Sequence, residues 1–83
     1  MDNKKISVYC MPGLAASSLI FERIILSESL FEMHLLDWEL PIGDESLPNY
    51  AKRMAEKITA PNPVLIGVSF GGILVQEMAA FLN

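Results

Sequence analysis

Ser69 stands between two glycines in the run Gly67-Val68-Ser69-Phe70-Gly71, the stretch of this chain best equipped for chemistry. The apolar run Val64-Leu65-Ile66 precedes it and an apolar helical pattern follows, so it reads as strand, sharp turn and helix with the serine at the apex. That arrangement is a nucleophile elbow, in which a strained turn points the hydroxyl off the sheet toward substrate. Gly67 and Gly71 suit it because strand and helix come too close together for larger side chains, and Gly72 extends the same permissiveness. A serine hydroxyl is a weak nucleophile until a positioned base takes its proton, so the chemistry implied is acyl transfer with a base supplied from elsewhere. The alternative for the same residues is a Gly-Ser turn in another α/β domain.

Few other side chains compete with Ser69. His34, the one histidine, falls within an apolar strand-like run and is expected to be a satisfied strand residue rather than a base. Asp37 follows that run and either turns the chain or lines a pocket, with the turn favoured. Trp38 is expected to pack locally rather than form a substrate platform. Cys10 is the only cysteine, so it closes no internal disulfide and fits a reducing compartment, taken as the cytoplasm. It is expected to be buried. One His and one Cys give no metal-ligand spacing, and an isolated Gly13 makes neither a dinucleotide fingerprint nor a P-loop, so no metal or cofactor is expected.

The elements that must position Ser69 follow from periodicity. Ile6 to Cys10 reads as a strand ended by Pro12-Gly13. A helix starting near Ser17 or Ser18 would carry Ile20, Phe21, Ile24 and Ile25 on one face. Phe31 to Leu36 forms a second strand, followed by a Pro41/Gly43/Asp44 loop. Leu47, Tyr50, Ala51, Met54 and Ile58 mark the cleanest helix, with Ser46 as N-cap, Pro48 in the first turn, and Lys52, Arg53, Glu56 and Lys57 on the solvent side. Pro63 to Val68 makes the third strand, and a last helix runs from about Gly71 to the end. Methionines 33, 54 and 78 are expected to fill core gaps.

Alternation of strand and helix implies an α/β fold: a three-stranded parallel sheet with helices on both faces. Strand order 2-1-3 would put the first and second helices on opposite faces and create a switch point at the carboxyl ends of strands one and three. Leu14 and Ser69 would lie there. The 83 residues bound one domain or part of one. A third strand apolar at consecutive positions and a last helix apolar nearly all round both call for further covering, so the chain is expected to be the N-terminal part of a larger domain.

Composition excludes other classes. A net charge of −4, with acids and bases interspersed, gives no footprint for nucleic acid. No stretch reaches the apolar length of a membrane span. Lys4-Lys5, the apolar run and Ala15-Ala16-Ser17 could be read as a secretory leader, but Pro12-Gly13 breaks the run and the strand explains these residues better.

With its elbow complete at Gly67-Val68-Ser69-Phe70-Gly71 and Met11-Pro12-Gly13-Leu14-Ala15-Ala16 after the first strand, the chain resembles the α/β-hydrolase superfamily over essentially its whole length. Many members carry His-Gly-x where Pro12-Gly13-Leu14 stands here. The resemblance implies Ser69 as nucleophile and the backbone N–H groups of Phe70 and Leu14 as the oxyanion hole. It also implies an acid and then a histidine later in the chain; after Ser69 there is only Glu77, inside the last helix. The implied function is a serine hydrolase acting on an ester or thioester of a small or lipophilic acyl group, inactive as the isolated chain and completed by the remaining part of the domain. Two rivals stay open: a non-catalytic binding or interaction protein that keeps the elbow without the triad, and a small flavodoxin-like ligand-binding domain.

Overall fold

The computed structural model describes residues 5–13, 21 and 26–82. Three parallel strands, β1 (Ile6–Met11), β2 (Phe31–Leu35) and β3 (Val64–Gly67), form one sheet in the order β2-β1-β3. Tyr9 is the hub of the register, paired with His34 on β2 and Leu65 on β3. The predicted order 2-1-3 is therefore the observed one.

Two helices follow the second and third strands. Helix α1 (Leu47–Ala55) starts where its cap dictates: the Ser46 hydroxyl accepts from the Asn49 N–H at 3.2 Å, and Pro48 sits in the first turn, where a missing N–H costs nothing. The helix is shorter than the apolar spacing predicts. Ile58 is buried, but a turn with the Ile58 N–H donating to the Ala55 carbonyl carries it there. Helix α2 (Phe70–Ala79) begins directly after Ser69 and stops before the end of the chain.

Alternation along β1 divides the core into two. Tyr9 and Met11 point to one face, where Tyr50, Ala51 and Met54 of α1 and Leu74, Val75 and Met78 of α2 cover them. Val8 and Cys10 point to the other, against Phe21 and, less buried, Leu26, Phe31, Met33 and Ile66. Both described helices thus lie on one face. The helix predicted from Ser17 or Ser18 falls outside the described residues except for Phe21, which is buried beneath the opposite face. Met54 and Met78 are fully buried and Met33 partly, as expected of gap-fillers.

The strand shielded on both sides is β1, whose last five residues are all buried. β3, the most continuously apolar run, is only half-buried, with Val64 exposed. Its described sheet partner is β1 alone. Helix α2 likewise buries Gly71, Leu74, Val75 and Met78 while Ile73 faces outward.

Candidate active site

The strand order brings the loops after β1 and β3 together, because the two strands are parallel neighbours and their carboxyl ends lie side by side. The Val68 N–H donates to the Met11 carbonyl at 3.1 Å, joining the two loops just beyond the last ladder pair, Met11 with Gly67. Ser69 stands at this junction.

Its backbone is the most telling feature. Ser69 has φ 57° and ψ −124°, a conformation that L residues other than glycine adopt only when their surroundings force it. The force is visible on both sides. After the apex, the Gly71 and Gly72 N–H groups each donate at 2.9 Å, to the carbonyls of Val68 and Ser69. Before it, the link to Met11 fixes the chain. Ser69 is exposed and its hydroxyl caps nothing in the helix, so the side chain is presented to solvent.

Glycine is required at two positions by close approach. A Cβ at Gly67 would lie 2.5 Å from the Gly71 carbonyl carbon and from the Gly72 Cα. A Cβ at Gly71 would lie 2.6 Å from the Met11 carbonyl oxygen. The motif predicts crowding of the preceding strand against the helix at both glycines. For Gly71 the crowding neighbour is instead the end of β1 and the loop beyond it. Gly13 borders the same space: its Cβ position is 3.4 Å from the Cβ of Ser69.

Of the two expected oxyanion donors, one can be described. The Phe70 N–H lies at the first position of α2, and among the described residues it has no backbone acceptor. That is one of the orphan donors every helix start leaves. Leu14, the other expected donor, lies outside the described residues.

Trp38 matters more than the sequence suggested. Its indole N–H is shared between the carbonyls of Pro12 at 3.0 Å and Gly13 at 3.1 Å, so it ties down the loop beside Ser69. Its ring also stacks with Phe70 and with Tyr50, each at 5.7 Å between centroids. The chain's single tryptophan therefore links the loop after β1, the elbow and α1. Its sequence context predicts only local packing. The clue was positional: Trp38 follows the strand that the predicted order places next to β1.

Trp38, Tyr50 and Phe70 also wall a cleft of about 430 Å³ beside the elbow, which Leu40, Pro41 and Leu47 extend. Ser69 itself does not line it. The loop that forms its outer side is pinned by Arg53, which grips Glu45 with Nε at 3.0 Å and Nη2 at 2.8 Å, and reaches Glu39 at 3.1 Å and the Leu40 carbonyl at 3.1 Å. Lys57 pairs with Glu39 as well, and the Tyr50 hydroxyl donates to the Glu39 carbonyl while accepting from its N–H. The Lys57 hydrogen bond, helped by Arg53, holds Glu39 below its usual carboxylate range, and the Arg53 bond does the same for Glu45.

The remaining candidates stand apart. His34 stacks on Tyr9 at 4.4 Å and bonds to Glu32 at 3.1 Å, two strands from β3 and short of the sheet's carboxyl end. It is a partnered strand residue, as expected, and does not meet Ser69. Asp37 is exposed just past β2. Cys10 is completely buried in mid-strand, and burial pushes its thiol pKa up, which makes it a poor nucleophile. Among the described residues no group of His, Cys, Asp and Glu could hold a metal ion, and no helix is long and apolar enough to cross a membrane.

Comparisons of the chain with family models, with curated proteins and with solved structures give no significant match.

Proposed function

We propose that the chain carries the nucleophile of a serine hydrolase of the α/β-hydrolase type, with Ser69 attacking the carbonyl of an ester or thioester. The observation that carries this reading is the backbone of Ser69, φ 57° and ψ −124°, at an exposed apex between strand and helix. Strain of this kind costs about 1–3 kcal/mol and persists where the geometry itself is needed. It leaves the hydroxyl exposed, with the Phe70 N–H, which has no backbone acceptor among the described residues, one residue on and suited to the oxyanion of a tetrahedral intermediate.

In this reading the second oxyanion donor is the Leu14 N–H, and the acid and base come from outside these 83 residues, since His34 is committed to Glu32 and Tyr9. The rest of the domain would also extend the sheet past β3, whose outer edge is open among the described residues. A fluorophosphonate probe applied to the complete protein is expected to label Ser69 and to leave Ser69→Ala unlabelled. Equal labelling of both proteins would sink the assignment.

The position of His34 also favours a second reading, in which the elbow survives in a binding protein without a triad. It predicts no labelling of either protein, with ligand binding unaffected by Ser69→Ala.

A further inference from the structure

Phe70 belongs to two features at once. Its N–H is the oxyanion donor of the reading above, and its ring is a wall of the 430 Å³ cleft. A carbonyl held by that N–H would be bound by the residue whose ring walls the cleft, so the cleft is the apolar space next to it among the described residues. A volume of this size falls in the range of small-molecule sites.

The other walls are aromatic or aliphatic, from Trp38, Leu40, Pro41, Leu47 and Tyr50. Among the described residues, charge enters the lining only through Glu39 and Glu45. The cations that neutralise them are spent: Arg53 uses Nε, Nη1 and Nη2 on Glu45, Glu39 and the Leu40 carbonyl, and Lys57 is held by Glu39. A ligand anion would meet two carboxylates and, among the described residues, no cation lining the cleft. A neutral chain would lose nothing there and would cover apolar surface worth roughly 25 cal/mol per Å².

We infer that this cleft is a binding site for an uncharged apolar chain, the acyl tail of the substrate, and that it rejects acyl groups ending in an anion. Only the orientation of the chain, carbonyl toward Ser69, rests on the proposed hydrolase function. The preference for neutral chains follows from the lining itself.

Trp38 is the only tryptophan, so intrinsic fluorescence reports on the cleft directly. In the complete protein at about pH 8, where a carboxylic acid is fully ionised, 2-octanone is expected to change the emission saturably, with 7-oxooctanoate, the same methyl ketone with a carboxylate at the far end of its chain, at least about tenfold weaker. Leu40→Glu, at a side chain 87% exposed and so with a small folding cost, is expected to weaken 2-octanone binding, as is Leu47→Phe, which narrows the cleft. Equal affinity for both probes, or a response that neither cleft substitution alters, overturns the inference. Saturable 2-octanone binding without fluorophosphonate labelling keeps the cleft and rejects Ser69 as nucleophile. Labelling without 2-octanone binding does the reverse.

Discussion

Ser69 is held in a conformation that glycine would occupy at less cost, and the chain keeps serine there. The strain lies in φ 57° and ψ −124°, so removing the hydroxyl alone leaves it in place. Ser69→Gly is therefore expected to be more stable than Ser69→Ala by about 1 kcal/mol, because the relief of backbone strain outweighs the added freedom of glycine in the unfolded chain. Urea unfolding of the two variants measures the difference; equal midpoints would show that the turn is not strained. Trp38 illustrates the other side of residue-scale reading. Its type predicted an amphipathic packing residue with one donor to satisfy, and only its neighbours reveal that the donor secures Pro12 and Gly13.

At the scale of elements, strand, turn and helix around Ser69 act as one unit with the end of β1. Each glycine that flanks the apex faces backbone, which cannot move aside as a flexible side chain could. Gly71→Ala would drive a methyl group to 2.6 Å from the Met11 carbonyl oxygen, separating α2 from the loop beyond β1. We expect a loss of about 3 kcal/mol, at the upper end for overpacking, and loss of any Ser69 labelling with it. Thermal or denaturant unfolding checks the first part, and a substitution tolerated within 1 kcal/mol or so would contradict the close approach. Gly72, whose Cβ position is 3.4 Å from the Gly67 carbonyl oxygen, has more room and should accept alanine better.

For the whole molecule, the loop between β2 and α1 is anchored at its start by Leu36 and Trp38, and beyond them ion pairs help to hold it to α1. Arg53 and Lys57 of the α1 region hold Glu39 and Glu45, and both carboxyls have folded pKa values below the reference 4.5. A depressed carboxylate pKa contributes stability that is present above the unfolded value and lost as pH falls through the folded one. Stability should accordingly fall below about pH 4.5, and Glu45→Gln should flatten that fall while weakening the protein at neutral pH. Denaturant midpoints measured across this range decide it. Parallel curves for the two proteins would mean that Glu45 does not contribute.

Periodicity and turn chemistry were enough to place the strands and the capped helix after Ser46, because each depends on neighbours close in sequence, whereas the expected order 2-1-3 has no local pattern behind it and the sheet itself decides it. The elbow was legible for the same reason: Gly67, Ser69 and Gly71 lie within five residues, and their local backbone demands are written in their types. The helix expected to carry Ile20, Ile24 and Ile25 and the donor expected at Leu14 fall on residues the structure does not describe. What only the tertiary structure decided were contacts between distant segments: Trp38 on the Pro12-Gly13 loop, Gly71 against Met11, and Arg53 across the loop to Glu39 and Glu45. No local pattern encodes such partners. Trp38 reaches Pro12 and Gly13 because the sheet sets the carboxyl ends of β1 and β2 side by side, making neighbours of residues 25 and 26 positions apart, whereas Arg53 meets Glu39 and Glu45, 14 and 8 positions earlier, because the loop folds back onto α1.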